Sequence, residues 1–357
     1  MNRRFVNLLV SKSGDCRPAF NLHRINPASL FCPTRSLKPT DPAATKKNTL
    51  SRLPPAAISF ELPCPWKKFG WMDFMARKND IIAVDHEGHT LLYNGTIGAL
   101  CAMNRMVEPC HSSISVVVGD DLYAMAINHG LLPKVDYFKA LTYGRSFGHC
   151  QPEDWHWRPL QPPPLEYDHE KDQRYNPSAA LVTHPCAIGA YTVVRDSQIW
   201  ISTTGAGTYS FDTTSGVWRK IGEWALPFKG HAKYVPEHGL WFGFSDSDGQ
   251  LCAADLEQMP PVQQKACEDL DLLVLEGWNP TGSHLLPLGS GKLCVVSFFQ
   301  RIKRVRPRPS TCYRSFKIEN TAVLAGVEVV AAGPEILHMV KHKSKCYRFG
   351  DDNVKLL

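Results

Sequence analysis

The sequence has neither a membrane-spanning hydrophobic run nor the short motifs that identify common enzyme classes. No stretch of its 357 residues approaches the roughly 18 consecutive apolar residues of a transmembrane helix, which excludes an integral membrane protein. No glycine-rich loop ends in Lys followed by Ser or Thr, and no G-x-G-x-x-G follows a strand pattern. The stretch from Gly243 to Ser247 lacks the second glycine of a nucleophile elbow. The sequence therefore indicates no catalytic residue and no cofactor.

The cysteines also lack the spacing of a metal site. There are 12 of them, yet no C-x-x-C occurs, and no secretory signal is present to favour disulfides. Close Cys–His pairs at residues 110–111, 149–150 and 184–186 do not assemble four converging ligands. We therefore expect reduced thiols that act as small buried hydrophobic residues, and no metal site.

Asp246, Asp248 and Gly249 faintly suggest a calcium loop. The carboxylate that would end such a loop of roughly 12 residues falls at Glu257. Residues 250–255 intervene, however, and their sequence is typical of a strand. A hairpin turn is therefore the favoured interpretation.

Positive charge is concentrated at the start of the chain. Lys and Arg total 40 against 34 Asp and Glu, a net charge of +6, and residues 1–50 hold nine basic and two acidic residues, or +7. The remainder sums to −1 (+6 minus +7), so nucleic acid is not an expected partner. A basic, acid-poor start resembles an organelle transit peptide, but residues 5–10 and 19–25 favour strands. We therefore favour a cytoplasmic or nuclear location over organelle import.

The densest basic run consists of Arg301, Lys303, Arg304, Arg306 and Arg308. Such a run could be a basic interaction loop that serves nuclear import or contacts nucleic acid. The favoured alternative is a solvated hairpin tip, because prolines punctuate the run and charge runs are usually surface loops.

The rest of the chain has the composition of a loop-rich β protein. Hydrophobic residues make up 43% and charged residues 21%, which is typical of a globular chain, and 27 prolines with 25 glycines disfavour a helical bundle. Residues 80–109 and 198–227 align without a gap, each as a strand, a loop, a second strand, a turn and a third strand. The aligned pairs include Gly98 with Gly216, where a short hairpin turn needs a positive φ.

Similar strand patterns recur along the whole chain. The corresponding starts lie at residues 80, 121, 198, 239, 292 and 335, with spacings of 41, 77, 41, 53 and 43. A spacing near 40 with several short strands per unit predicts an all-β, kelch-like β-propeller of six blades, or seven if the N-terminal strands form their own unit. A β-sandwich is the alternative, but it does not explain the ungapped internal copy. The tryptophans in these strands are expected to pack between blades.

The repeat also divides the chain into segments. Residues 1–27 are predicted to supply strands that complete the ring by joining the blade begun at 327–349, since an open propeller leaves sheet faces unburied. Residues 28–56, rich in Pro, Thr and Lys, are predicted to be a flexible linker. Residues 57–357 are predicted to form the propeller, and the Pro-rich charged stretch at about 160–185 is predicted to be a long exposed loop.

Several phrases along the chain together form one pattern, namely RRFVNLLV at residues 3–10, FNLHRI at 20–25, LF at 30–31, LPPAAISF at 53–60, FMAR at 74–77, DIIAVD at 80–85 and YN at 93–94. This pattern resembles that of a large grass-plant family, domain-of-unknown-function family 1668. The resemblance spans nearly the whole chain and implies a kelch-like protein of unassigned biochemistry, with no catalytic residue to carry over. The Gly-Gly pair that usually ends the second strand of a kelch blade is missing here.

Two functions follow from this interpretation. The favoured one is a non-enzymatic protein-interaction module, a scaffold or substrate receptor, because propellers present loops from several blades on one rigid face. The alternative is a small-ligand binder or metal-dependent enzyme that uses the central channel. The first predicts protein partners, and the second predicts converging polar side chains inside the channel.

Overall fold

The computed structural model of the chain is built almost entirely from β-strands, as the sequence predicted. It describes residues 4–12, 19–32, 49–62, 70–109, 113–127, 138–145, 153–165, 186–265, 275–304, 316–332 and 337–357. A 3₁₀ helix at Pro27–Leu30 accompanies the strands. Among these residues no helix is long and apolar enough to cross a membrane.

The strands follow one another in short antiparallel hairpins. The first twelve are β1 (Val6–Ser11), β2 (Ala19–Ile25), β3 (Thr49–Leu50), β4 (Ala56–Glu61), β5 (Met72–Arg77), β6 (Asp80–Asp85), β7 (Thr90–Asn94), β8 (Ala99–Met103), β9 (Ser113–Val118), β10 (Asp121–Ala126), β11 (Phe138–Gly144) and β12 (Asp154–Pro159). The others are β13 (Ile188–Val194), β14 (Gln198–Thr203), β15 (Gly207–Asp212), β16 (Val217–Gly222), β17 (Phe228–Val235), β18 (Leu240–Ser245), β19 (Leu251–Ala254), β20 (Gln263–Lys265), β21 (Asn279–Gly289), β22 (Lys292–Arg304), β23 (Phe316–Ala332), β24 (Leu337–Gly350) and β25 (Asn353–Leu356).

These strands group into six four-stranded antiparallel units. Units one to five are consecutive meanders, namely β5–β8, β9–β12, β13–β16, β17–β20 and β21–β24, and the sixth has the order β25-β1-β2-β4. Strand β3 adds to the fifth unit in parallel with β24. A short parallel pairing of β13 with β17 joins the third and fourth units into one eight-stranded sheet.

Hydrophobic clusters fill the space between each unit and the next. Representative buried pairs are Met75 with Leu122 (units one and two), Phe138 with Phe211 (two and three), Trp200 with Trp241 (three and four), Phe242 with Val295 (four and five) and Leu288 with Leu8 (five and six). A further cluster packs Leu22 of the sixth unit on Ile81 of the first. Each unit is therefore covered on both faces by its two neighbours.

The N-terminal strands pair with a different partner from the one predicted. Strand β1 pairs with the C-terminal strand β25, from Leu8 opposite Leu356 to Ser11 opposite Asn353. The expected partner at 327–349 falls in β23 and β24, and β24 pairs instead with β23 and β3. The prediction was wrong about the partner because β23 and β24, with 17 and 14 residues, belong entirely to the fifth unit.

Five of the six predicted unit starts coincide with the second strand of a unit. Those strands are β6, β10, β14, β18 and β22. The start expected at residue 335 is wrong, because that stretch is the fourth strand of the fifth unit. The second strand of the sixth unit is β1, at the opposite end of the chain.

The predicted linker and loop contain residues that pack on the core. In the segment 28–56, Leu30 and Phe31 are buried between the fifth and sixth units, which contradicts a flexible linker at those residues. In the loop predicted at 160–185, Leu160 and Leu165 pack on the cluster of the second and third units. Residues 33–48 and 166–185 lie outside the described residues.

The aligned glycines of the internal repeat form the same turn twice. Gly98 has φ of 74° and donates its N–H to the Asn94 carbonyl at 2.9 Å, while Gly216 has φ of 71° and donates to the Asp212 carbonyl at 2.8 Å. The Asn94 and Asp212 side chains each accept two backbone N–H groups inside the turn. These two bonds lower the pKa of Asp212. Both turns join the third and fourth strands of a unit.

Replacing Gly216 with alanine should destabilise the fold through backbone conformation alone. No atom lies within 4 Å of the added Cβ, so the expected cost is the left-handed φ, about 1–2 kcal/mol. Gly189 is the matched control because it is a strand glycine without a positive φ, and Gly189→Ala should change stability by less than about 0.5 kcal/mol. Urea unfolding followed by tryptophan fluorescence checks both values, and equal losses would contradict the argument.

Candidate functional site: the central cavity

A cavity of about 1380 Å³ lies where the first strands of the six units meet. Every unit contributes a first strand to its wall. One lining residue from each of β5, β9, β13, β17, β21 and β25 is, in turn, Phe74, Ser115, Tyr191, His231, His284 and Lys355. The cavity is therefore a property of the whole arrangement and not of one loop.

The sequence of the lining strands suits a position beside water. Strand β17 bulges between Lys229 and Lys233, and Gly230 within the bulge has φ of 74°. Strand β21 has a register shift at Pro280–Gly282. Such irregularities re-aim side chains, and they place polar residues of otherwise paired strands on the cavity wall.

Among the described residues, every charged side chain that the first strands give to the wall is basic. Three are lysines, namely Lys229, Lys233 and Lys355, and His231 and His284 lie on the same strands. All five belong to β17, β21 and β25, which form one half of the wall. The wall is therefore electrostatically asymmetric.

The carboxylates of the described wall lie beyond the ends of these strands. Asp196 and Glu257 lie in connections near one end, and Asp248 lies in the β18–β19 turn. Arg195 lies beside Asp196 and donates its Nε–H to Glu257 at 3.0 Å. This ion pair is exposed and lies at the end of the strands, so the charged residues in the middle of the described wall are the basic ones.

His284 lies at the centre of the basic half. Its imidazole is open to the cavity but is otherwise surrounded by protein, with the Phe298 ring 5.6 Å away between centroids. This desolvation lowers its pKa, and the Lys355 and Lys233 ammonium groups lower it further. His284 is therefore a neutral ring at pH 7, with one N–H able to donate a hydrogen bond.

Lys355 is held in place by the first unit. Its ammonium group donates to the Asp73 carboxylate at 2.6 Å and to the Phe74 carbonyl at 3.2 Å. Burial works to raise the pKa of Asp73, but Lys355 and two hydrogen bonds from Ser113 outweigh it, so the pKa of Asp73 is lowered. This contact joins β25 to β5 and pairs the Lys355 ammonium group with a carboxylate behind the wall.

The other half of the wall carries no charge within its described strands. Strands β5, β9 and β13 contribute hydroxyl and apolar side chains, which include Ser115, Thr192, Ala76, Ile114 and Val193. Tyr191 of β13 stacks near His231 with ring centroids 4.4 Å apart, and burial raises its pKa. The tyrosine therefore remains a neutral phenol.

The described residues include side chains of the kinds that act as metal ligands and as thiol nucleophiles. They hold no group of three or more His, Cys, Asp or Glu side chains that could bind a metal ion. Of the six described cysteines, Cys186, Cys252, Cys294 and Cys346 are buried, as predicted, while Cys32 and Cys101 are exposed. Burial, helped by Asp248, raises the pKa of Cys252 to about 12, so this thiol is a poor nucleophile.

Arg301 and Lys303, the first two members of the basic run, lie outside the cavity lining and pair with a carboxylate. Arg301 and Lys303 occupy the end of β22, and both pair with Glu319 of β23, at 2.8 and 3.0 Å. These hydrogen bonds lower the pKa of Glu319 to about 2, and the Arg301 guanidinium also lies over the Trp278 ring. Arg301 and Lys303 therefore lie on a paired strand, β22, beside its neighbour β23.

The rest of the basic run continues past the end of β22. Arg304 is the last residue of that strand, opposite Phe316, while Arg306 and Arg308 lie outside the described residues. Where it is described, the run is thus part of an ion-pair network with Glu319.

Two further interpretations of the sequence are confirmed. The β18–β19 connection is a hairpin turn, with Gly249 at φ of 69° donating its N–H to the Ser245 carbonyl at 3.0 Å. The tryptophans belong to, or pack on, the clusters between strands. They are Trp155, Trp157, Trp200, Trp218, Trp224, Trp241 and Trp278. Of the close Cys–His pairs, residues 110–111, 149–150 and 184 lie outside the described residues.

The comparisons with known proteins identify a family. The chain belongs to the family described as protein of unknown function DUF1668, whose model matches residues 3–347. No curated protein matches the chain. Among solved structures it is similar to apo AztD from Citrobacter koseri, at 11% identity and a TM-score of 0.37, over 99% of this chain and 98% of that one. We draw no functional conclusion from a similarity of this size.

The Asp73–Lys355 contact predicts a pH dependence of stability. The pKa of Asp73 is below its ordinary value of 3.8, so its contribution is complete above pH 3.8 and is lost as the pH falls through the folded-state pKa. Asp73→Asn should cost about 2 kcal/mol at pH 7. The difference between the two proteins should shrink below pH 3.8 in urea unfolding at stepped pH. A difference that stays constant down to pH 2.5 (roughly one unit below that value) would contradict it.

Proposed function

We propose that the chain is a six-bladed β-propeller that binds a small molecule in its central channel. The six units are its blades, and the sixth combines one C-terminal and three N-terminal strands. Support comes from the six interfacial clusters, which lead from each unit to the next and back to the first. Blades that pack this way bring their first strands around a common axis.

The observation that carries the functional proposal is the cavity on that axis. Its volume of about 1380 Å³ accommodates a drug-sized molecule, since ligand pockets usually span roughly 300–1,000 Å³. Polar side chains converge on it from one side, and apolar side chains from the other. Such a combination is typical of a small-molecule site, in which a few polar groups orient an otherwise apolar ligand.

A second candidate function, a protein-interaction module, is favoured by a different observation. At the end of the β22–β23 hairpin, Ile302 and Ile318 are cross-strand partners and are 57% and 43% exposed. Phe316 lies two residues from Ile318, on the same face, and is 55% exposed. We call these three residues the hairpin patch.

The hairpin patch lies on the opposite side of the strands from the Arg301–Glu319–Lys303 ion pairs. Contiguous exposed apolar residues with a polar margin are typical of protein contact sites. The adjoining sequence 304–308 adds three basic residues, so the partner that fits this end of the hairpin presents apolar side chains flanked by carboxylates.

Filling the channel should abolish ligand binding without unfolding the protein. Gly282 lines the cavity, has no positive φ and has no atom within 4 Å of the position that a Cβ would take, so Gly282→Trp places an indole in the cavity. Thermal-shift screening of a small-molecule library against the pure chain should give hits that this variant loses, while its own melting temperature changes by about 2 °C or less. Gly189→Trp, on a strand glycine outside the cavity lining, is the control and should keep the hits.

Two outcomes would count against the channel. Hits that survive Gly282→Trp unchanged would place the ligand elsewhere. A library that gives no hits with the wild-type chain would leave the hairpin patch as the better-supported site.

The hairpin patch is tested by polar replacement that preserves the strands. The double variant Ile302→Thr/Ile318→Thr keeps β-branched side chains and removes the apolar contact, so partners recovered by proximity labelling should fall about tenfold or more. Val217→Thr is the control, since Val217 is 46% exposed on another strand. Deleting residues 301–308 is a poorer test, because it removes the end of β22. Unchanged labelling by the double variant would reject the patch as a contact site.

A further inference from the structure

The cavity wall combines three features that identify the kind of ligand it suits. Lysines and histidines occupy β17, β21 and β25, while β5, β9 and β13 contribute hydroxyl and apolar groups. Packing between neighbouring units gives the strand order β5, β9, β13, β17, β21, β25 around the axis. The basic and the neutral strands therefore face each other across the cavity.

From this arrangement we infer that the central channel binds a small organic anion, with its carboxylate or phosphate group toward Lys233, His284 and Lys355 and its apolar part toward β5 and β9. This inference rests on the proposed channel function and adds the chemical class of the ligand.

The first argument is electrostatic. Three lysines lie on one side of the wall, and the Asp73 carboxylate behind it pairs with Lys355. Cations confined near one another in a cavity repel, and His284 responds to this field, because both Lys233 and Lys355 act on it. An anion between these side chains offsets the repulsion and accepts charge-assisted hydrogen bonds.

The second argument concerns shape and polarity on the facing side. Ala76 of β5 and Ile114 of β9 are part-exposed apolar residues of the lining, beside the Ser115 hydroxyl. Phe74 and Val116 are buried behind them in the clusters between units. An inorganic ion would leave this surface unused, whereas an organic anion covers it. Confinement by apolar walls also strengthens the anionic contacts, because water screens them less.

The two lysines and the neutral histidine together favour an anion over a cation at this site. Lys233 and Lys355 donate only, and neutral His284 donates through one nitrogen and accepts through the other. The carboxylates of the described wall, Asp196, Asp248 and Glu257, lie toward its ends. A cationic ligand would thus meet like charge in the middle of the channel.

The test uses three fluorescent probes that share one ring system and differ in charge. They are 2-naphthoate, 2-naphthalenemethanol and 2-naphthylmethylamine, titrated into the full-length chain at low salt. We expect 2-naphthoate to bind about tenfold more tightly than the alcohol, with no binding of the amine. Added salt should weaken the naphthoate selectively.

Variants then assign the effect to the basic half of the wall. Lys233→Gln and His284→Gln should each weaken 2-naphthoate about tenfold and leave the alcohol unchanged. Lys220→Gln is the control, because Lys220 lies on the outer strand β16, away from the cavity lining, and its loss changes net charge equally. If Lys233→Gln lowers the melting temperature of the protein, Lys229→Gln on the same strand is used in its place, since Lys229 is exposed to the cavity.

The outcomes separate this inference from the proposed function. If the alcohol binds as tightly as 2-naphthoate and Gly282→Trp blocks both, the channel binds ligands but the anion class is wrong. If Lys220→Gln weakens 2-naphthoate as much as Lys233→Gln does, net charge and not the site explains the preference. If 2-naphthoate does not bind while neutral library compounds do, the anion inference is wrong and the channel function stands. If nothing binds in the channel, the anion inference and the proposed channel function are both wrong.

Discussion

The pairing of the two chain ends is the contact on which the rest of the structure depends. Strand β25 adds to β1, with Val10 opposite Val354 and Leu8 opposite Leu356, and so completes the sixth unit. That unit covers Leu288 of the fifth unit on one side and Ile81 of the first on the other. Without the sixth unit, two hydrophobic sheet faces would be exposed to water. This exposure costs a free energy of about 25 cal/mol for each Å² of apolar surface. The loop closed by this pairing is almost the whole chain, but loop-closure entropy grows only logarithmically with length, so burial at two interfaces outweighs it.

Closure also determines which residues can form a site. The second strands, such as β6 and β14, are buried on both sides between neighbouring units and are correspondingly apolar. In the proposed propeller the first strands face the axis on one side, where their side chains meet solvent or a ligand and not another sheet. Lys233 and His284 can therefore occupy paired strands without an unpaired charge in the core. The channel chemistry is thus free to vary while the clusters between units hold the fold.

Features of the fold and the site could be predicted from the sequence when the residues that form them are close together along the chain. The turns at Gly98 and Gly216 are local, and so the repeat and five second strands followed from spacing and turn residues. The sixth unit is divided between the two chain ends. A constant spacing along the chain therefore predicted its second strand at β24, whereas that strand is β1. The site was missed for a similar reason. Lys233, His284 and Lys355 are separated by dozens of residues of ordinary composition, and only the packing of the units brings their strands together.

The two basic regions show why charge density along the chain is a poor guide to a binding site. The run that begins at Arg301 is dense in sequence, but its first two described members share Glu319 and contact solvent, where water and salt screen them. The channel lysines are sparse in sequence but face one enclosed volume, with one of them compensated by Asp73. The electrostatic potential at a point depends on the distance to all charges and on the local dielectric, not on their order in the chain. The field is therefore expected to be strongest where the fold concentrates a few cations, and this favours the channel for an anion and leaves the hairpin patch, with its apolar side chains, as a surface for a protein.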